Sequence, residues 1–132
     1  MQRMSYKEYR KPKQRSKYGN KKVEQDGHVF DSIAEMKYYE QLKWLKAAKQ
    51  IRDFKLQPKF VLQEGFKKNG MTFRPITYKA DFEVINLDGS TQIIDIKGSI
   101  TKEFAIKRKL FEKTYIESIT LLKYQNGQFV EV

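Results

Sequence analysis

The sequence predicts a mixed α/β domain, in which a mixed central sheet is flanked by helices. Its length of 132 residues suits one ordinary domain. Its apolar pattern alternates between the period of strands and that of helices, in the order β-α-β-β-β-α-β, which is typical of this class. The absence of cysteine excludes disulfide scaffolds, cysteine zinc sites and thiol catalysis.

A basic arm over residues 1–17 is expected to precede a single domain over residues 18–132. The chain has 27 Lys and Arg against 16 Asp and Glu, and most of the resulting charge of +11 lies in the first 22 residues. With few apolar residues to bury, the arm is expected to be disordered and to suit a polyanion such as a nucleic acid backbone. A solubilising leader is the alternative. The N-terminal cations expected to contact DNA are Lys11, Lys13, Arg15 and Lys17 in the arm, and Lys21 and Lys22 just after it.

The elements follow from turn signals and periodicity. Asp26-Gly27 predicts a hairpin over residues 21–32, and an apolar stripe at helical spacing predicts a helix over residues 33–49. Extended chain broken at Pro58 and a glycine-bearing loop come next. The remaining predicted elements are strands 76–86 and 91–97, a helix over 102–114, and strands 119–124 and 129–132.

The hairpin around Asp88 has a register that its apolar pattern predicts. A three-residue tip from Leu87 to Gly89, with Gly89 in the left-handed region, places Phe82 opposite Ile94 on an apolar face. A two-residue tip would mix apolar and charged residues on both faces. Burial therefore favours the three-residue tip.

This register gathers charged side chains on the opposite face. If the ladder continues, Ala80 pairs with Ile96, while Asp81 and Asp95 become cross-strand neighbours roughly 5 Å apart. Lys97 projects from the same face as the acids. Two adjacent carboxylates repel each other unless a cation lies between them, and Mg²⁺ takes one or two carboxylates and keeps several waters. The alternative is a solvated face of acids and lysines.

Glu35 is a third carboxylate, with two competing roles. It lies in the first turn of the first helix, beside the apolar stripe, and can point toward the sheet to join the acids. Residues 32–35 read S-I-A-E, which is also a capping box in which Ser32 accepts from the Glu35 N–H and the glutamate bonds back. A side chain bonded back to Ser32 is less free to approach a metal.

The residues at these positions resemble the signature of PD-(D/E)xK nucleases. Glu35 lies in a first helix, Asp81 ends the segment YKAD, and the segment DIKG begins at Asp95. More narrowly, FDSIAEMKYY, RPITYKADF, IIDIKG and TKEFAIKRKLF are similar to a phage-borne family described as Holliday-junction-resolvase-like. The resemblance extends from about Tyr18 to Tyr124.

The resemblance implies a restriction-endonuclease-like αβββαβ core and a metal-dependent endodeoxyribonuclease. By this likeness Asp81, Asp95 and the Ile96 carbonyl bind Mg²⁺, with Mn²⁺ able to substitute. Lys97 would position the attacking water, and Glu35 would complete the site directly or through a water. The implied substrate is branched DNA in phage recombination or replication. Paired cuts at a junction imply a homodimer.

Cations on the second predicted helix extend the expected DNA surface. Thr101 is a candidate cap for this helix, and the candidate contacts are Lys102, Lys107, Arg108 and Lys109. An ordinary lysine-rich surface is the alternative reading of these four residues.

Three function classes remain open at this stage, of which an interaction protein that engages a host or mobile-element regulator leaves no trace in the sequence. Beside the nuclease stands a catalytically silent, basic DNA-binding accessory protein on a nuclease-like scaffold, for which the arm and helix lysines suffice. No apolar run is long enough to cross a bilayer. We therefore expect a protein without a membrane partner, located in the cytoplasm of a bacterial host and encoded by a phage or prophage.

Overall fold

The computed structural model describes residues 21–132. The chain divides between Lys37 and Tyr38 into two compact units, which are described separately below. The predicted basic arm, with Lys11, Lys13, Arg15 and Lys17, lies outside the described residues. Its boundary at residue 18 stays a prediction.

The described residues form two helices and eleven strands. The helices are α1 (Ile33–Ala47) and α2 (Lys102–Thr114). The strands are β1 (Val23–Gln25), β2 (His28–Phe30), β3 (Asp53–Leu56), β4 (Lys59–Gln63), β5 (Phe66–Lys68), β6 (Met71–Phe73), β7 (Ile76–Lys79), β8 (Phe82–Ile85), β9 (Thr91–Ile96), β10 (Ile119–Gln125) and β11 (Gln128–Glu131). Neither of these two helices has the length and apolar content needed to span a membrane.

The N-terminal unit contains the predicted hairpin and the start of α1. Strands β1 and β2 pair in antiparallel fashion across a tip at Asp26 and Gly27, both of which have positive φ. Helix α1 begins after Ser32, whose hydroxyl oxygen accepts a 3.1 Å hydrogen bond from the Glu35 N–H. That bond satisfies one of the N–H groups left open in the first turn of a helix.

The second unit is built on a mixed five-stranded sheet in the order β11-β10-β9-β8-β3. Strands β9 and β10 run parallel because α2 carries the chain back between them, and the other pairs are antiparallel. On one face, the ring of Tyr38 on α1 lies 5.2 Å from that of Phe82. On the other face, Phe104 and Phe111 of α2 pack in one buried cluster with Ile93. The predicted mixed sheet flanked by helices is confirmed.

The strand predicted over residues 76–86 is two strands in different sheets. Strand β7 pairs with β4, whereas β8 pairs with β3 and β9. At the break, the Ala80 N–H donates to the Pro58 carbonyl and the Gln57 N–H donates to the Asp81 carbonyl, at 3.0 and 2.9 Å. The Ala80 N–H and the Asp81 carbonyl are therefore bonded to a segment outside the β8–β9 hairpin.

The glycine-bearing loop predicted after residue 63 is an antiparallel hairpin of β5 and β6. Phe66 pairs with Phe73, and the tip is Asn69-Gly70, with φ of 52° and 74°. Asn-Gly at a two-residue tip is the strongest short-range hairpin signal. Residues 66–73 are called the aromatic hairpin below.

Candidate active site

The β8–β9 hairpin, called the central hairpin below, has the predicted register. Phe82 pairs with Ile94, and the pairing continues to Ile85 opposite Thr91. The three-residue tip ends at Gly89, which has a φ of +89° and donates its N–H to the Asn86 carbonyl at 3.0 Å. Glycine adopts this conformation without the steric cost that a Cβ would bring.

The ladder ends at Phe82 and Ile94, two pairs earlier than predicted, so Asp81 and Asp95 are not paired in it. The Asp81 side chain replaces a main-chain partner at this point. The Ile96 N–H donates to Asp81 Oδ2 at 2.7 Å, and the Asp81 N–H donates to the Ile94 carbonyl at 3.1 Å. Ala80 therefore does not pair with Ile96. It belongs to the buried cluster of Ile93, on the face opposite Phe82, and the prediction for this pair is wrong.

Asp95 is a buried carboxylate with a partner on each oxygen. It lies on the central strand of the sheet and is 2% exposed. Its Oδ2 accepts a hydrogen bond from the Tyr78 hydroxyl, and its Oδ1 lies 3.3 Å from Lys97 Nζ. A buried charge is tolerated when it is paired and hydrogen-bonded in this way. Tyr78, Asp81, Asp95 and Lys97 are called the acid–lysine cluster below.

Both aspartates act on the Tyr78 hydroxyl. Burial, then the negative charge of Asp95 and its hydrogen bond, and then the charge of Asp81 raise the pKa of Tyr78 above its usual 10.0. The hydroxyl therefore stays protonated and donates to Asp95. The Asp95 carboxylate therefore lies on the face of the sheet that carries Tyr78 and the buried cluster of α2.

Helix α2 covers the acid–lysine cluster. The Phe104 ring has its centroid 4.4 Å from Lys97 Nζ and 5.9 Å from the Tyr78 ring, so it contacts both partners of Asp95. A cation over an aromatic face is held by the ring's quadrupole. Asp95 is buried, so the alternative of a solvated face does not describe it. The sequence predicted one apolar face and one charged face for this hairpin. That prediction is incomplete, because a helix packs on each face.

A cleft of about 290 Å³ opens beside the cluster. Three of the side chains around it are cations, of which Lys107 lies 3.3 Å from Glu103. The cleft is lined by Tyr78, Lys79, Lys97, Thr101, Glu103, Phe104 and Lys107. The Thr101 hydroxyl oxygen caps α2 by accepting from the Phe104 N–H at 3.1 Å, as predicted. A cleft with this charge suits an anionic group such as a phosphate.

Glu35 belongs to the N-terminal unit and performs the capping role. It is 7% exposed, and its Oε2 accepts from the Asp31 N–H at 3.3 Å, one residue before the predicted partner Ser32. Its contribution to the acid–lysine cluster stays a prediction. Across residues 21–132, no group of three or more His, Asp or Glu side chains is arranged to hold a metal ion. The candidate ligands in the second unit are thus Asp81, Asp95 and the Ile96 carbonyl.

The predicted DNA-contacting cations that fall within the described residues lie at the surface. Lys107 is half-buried, and the others are exposed, namely Lys21, Lys22, Lys102, Arg108 and Lys109. Four of these six cations lie on α2, the helix that also borders the cleft. This placement leaves them accessible to an anionic partner.

Tyr78 is the functional residue that sequence reasoning missed. A tyrosine in an alternating strand segment is ordinarily assigned to the core, and Tyr78 is indeed 4% exposed. A buried tyrosine hydroxyl nevertheless needs a hydrogen-bond partner. Asp81 is only three positions further along the chain, and the nearness of acids that could accept from the hydroxyl was the available signal.

Comparison with known proteins identifies the family of this chain, and the description of that family names no activity. No curated protein and no solved structure matches the chain. A family model described as "Protein of unknown function (DUF1064)" matches residues 15–126, which include α1, the acid–lysine cluster and α2. The chain therefore belongs to the DUF1064 family.

Proposed function

We propose that this protein is a Mg²⁺-dependent DNA endonuclease that hydrolyses phosphodiester bonds in branched DNA. The observation that carries the proposal is the Ile96 N–H bond to Asp81, at 2.7 Å, which holds this carboxylate at the peptide that follows Asp95. Lys97 pairs with Asp95 and also lines the cationic cleft, so the site adjoins a surface that suits a phosphate.

The donor set fits a hard divalent cation. Asp81, Asp95 and the Ile96 carbonyl offer oxygen ligands only, and Mg²⁺ commonly uses one or two carboxylates with several waters. A carboxylate has about four lone-pair sites, more than Asp95 uses for its hydrogen bond from Tyr78 and its ion pair with Lys97. When bound, Mg²⁺ polarises a phosphoryl oxygen and lowers the pKa of a coordinated water, and Mn²⁺ supplies the same chemistry.

The chain's own side chains have separate tasks in this reaction. Lys97, whose Nζ is 3.3 Å from Asp95 Oδ1, holds the attacking water and offsets negative charge that develops on the phosphate. Tyr78 fixes the Asp95 carboxylate through its hydroxyl. The cations of the cleft hold the DNA phosphate against the cluster.

The test is cleavage of a synthetic four-way junction by the full chain and by Asp81→Asn, Asp95→Asn and Lys97→Met. Asparagine keeps an acceptor oxygen for the Ile96 N–H, so Asp81→Asn separates loss of the charge from loss of the hydrogen bond. Each variant is expected to cut about 10²–10³-fold more slowly, and EDTA is expected to abolish cutting. Glu83→Gln is the matched control, because this half-buried acid of the same hairpin only pairs with Lys55, at 3.9 Å. Cleavage at the wild-type rate by all three site variants would refute the site.

A silent DNA-binding scaffold is the second candidate. The observation that favours it is that Tyr78 and Lys97 already occupy both oxygens of Asp95, which neutralises the buried charge without a metal. This function predicts salt-dependent DNA binding that ignores EDTA and survives Asp81→Asn and Asp95→Asn, without cleavage.

Resolution of a junction adds a requirement for two active sites. Paired, symmetric cuts need a two-fold arrangement of the chain. Light scattering on the protein with its junction is expected to show a homodimer. A monomer under the cleavage conditions would leave nicking in place and rule out resolution.

A further inference from the structure

The aromatic hairpin exposes large apolar side chains. Phe66 is 46% exposed, Phe73 is 40% exposed and Met71 is 60% exposed. Every residue of β5 and β6 is exposed, so this ribbon projects from the β4–β7 pair instead of packing in the core. An exposed apolar patch of this kind marks an interaction site more often than it marks a stable free surface.

The aromatic pair has a defined arrangement. Phe66 and Phe73 face each other across the ribbon, with ring centroids 4.8 Å apart and ring planes 15° apart. Because side chains alternate along a strand, the pair of Lys68 and Met71 lies on the same face of the ribbon. One face therefore combines two aromatic rings, a thioether and a cation.

The charge of the hairpin selects the kind of partner. Lys67, Lys68 and Arg74 outnumber the single flanking acid, Glu64. Pairing this surface with the same surface of a second copy would bring like charges together, which is unfavourable. A nucleic acid offers phosphates to the cations and base faces to the aromatic rings, and each such base stack is worth several-fold in affinity.

The hairpin is connected directly to the acid–lysine cluster. Residues 74 and 75 join β6 to β7, which carries Tyr78. Tyr78 is five positions after Phe73, a distance of up to about 17 Å along an extended chain. That distance corresponds to about five nucleotides of one strand of a duplex.

We propose that the aromatic hairpin reads the branch point of a DNA junction by stacking Phe66 and Phe73 on bases that are unpaired or unstacked there. Lys68, on the face of the rings, holds an adjoining phosphate, and Lys67, on the opposite face, adds to the attraction for the DNA backbone. This inference rests on the proposed action on branched DNA and adds the element that distinguishes a junction from a linear duplex.

The test measures binding without cleavage, so that it is independent of the nuclease activity. A fluorescein-labelled four-way junction and a linear duplex with the same arm sequences are titrated in EDTA, with the full chain as the reference protein. The variants are Phe66→Leu/Phe73→Leu, which keeps apolar side chains but removes the ring faces, and Lys67→Gln/Lys68→Gln. The control is Ile116→Ala, which removes a fully exposed apolar side chain from the segment after α2.

The leucine variant is expected to bind the junction about tenfold or more weakly and the duplex about as well as the reference protein. The glutamine variant is expected to weaken both, and to lower the slope of log affinity against log salt by about 2. An unchanged junction-to-duplex ratio in the leucine variant would overturn the proposal. The proposal would also be overturned if light scattering showed that the leucine variant changes from a dimer to a monomer while its DNA affinity is unchanged. The hairpin would then be a self-association surface.

These outcomes separate the inference from the nuclease proposal. Loss of cleavage in the Asp81 and Asp95 variants, together with loss of junction selectivity in the leucine variant, supports both. If the wild type does not cut DNA, but its selectivity for the junction depends on the two phenylalanines, the hairpin's role is supported and the nuclease proposal is refuted. A wild-type chain with no preference for the junction refutes the hairpin's role whatever its cleavage activity.

Discussion

The central hairpin and the aromatic hairpin are both antiparallel ribbons with a glycine at the tip, and they differ in what covers them. Phe82, Ile93 and Ile94 of the central hairpin are at most 2% exposed, between helices on both faces. The aromatic hairpin has no buried residue. The register of the first is set by burial, since a slip would expose apolar side chains, whereas that of the second is set by its turn. The central hairpin therefore contributes mainly to stability, whereas the aromatic hairpin presents its side chains at the surface.

The largest difference is expected on truncating one phenylalanine in each ribbon. Phe82→Ala leaves a cavity beneath the Tyr38 ring and is expected to cost about 3–5 kcal/mol in the free energy of unfolding. Phe73→Ala removes a 40% exposed side chain, and its expected cost is below about 1.5 kcal/mol. Urea denaturation followed by circular dichroism measures both. Equal losses would mean that the aromatic hairpin is part of the core.

Removal of the Tyr78 hydroxyl probes the central ribbon's buried charge. Tyr78→Phe leaves Asp95 Oδ2 without the donor and is expected to cost about 1–3 kcal/mol of stability near neutral pH. Tyr115→Phe is the control, because the Tyr115 hydroxyl donates to the Val61 carbonyl at an exposed position. Similar losses in both variants would show that the buried carboxylate does not depend on Tyr78.

The pH dependence of stability tests the same hydroxyl. The pKa of Tyr78 is higher in the folded state than its usual 10.0, chiefly through burial and then through Asp95. Its contribution is therefore fully present below pH 10.0 and is lost as the pH rises above that value. Unfolding free energies from about pH 8 to about pH 11 should fall more steeply for the wild type than for Tyr78→Phe. The lysines titrate in both proteins, so the difference isolates Tyr78.

The smallest effect is expected at the tip of the central hairpin. Gly89 has a φ of +89°, and Gly89→Ala is expected to cost about 1 kcal/mol. Gly98→Ala is the control, because Gly98 has no positive φ and a Cβ there meets nothing within 4 Å. Thermal melts distinguish the two. Equal stability of these variants would show that the tip tolerates a side chain at this φ.

The register of the central hairpin was predictable from sequence because a one-residue slip exchanges the two faces. Phe82 and Ile94 could therefore be paired without coordinates. The end of the ladder was not predictable, since it depends on the Asp81 carboxylate competing with a main-chain carbonyl for the Ile96 N–H. Binary patterns contain no information about such a substitution.

The composition of the site was predictable in part for the same reason. Asp81, Asp95 and Lys97 were found by their spacing along two paired strands. Tyr78 was not, because its role depends on a contact between strands of different sheets, β7 and β9. The aromatic hairpin was missed despite its Asn-Gly signal, because its flanking segments are short and do not alternate cleanly.

The base of the aromatic hairpin leaves no room for another atom. A Cβ on Gly65 would lie 3.0 Å from the Phe73 carbonyl oxygen and 3.0 Å from Pro75 Cδ, distances that real Cβ atoms rarely show. Residues 65 and 75 are thus constrained as a pair across the two arms. Within the DUF1064 family we expect glycine at the first position, because a residue without a ring at the second would relieve the contact with Cδ but not the one with the Phe73 backbone oxygen.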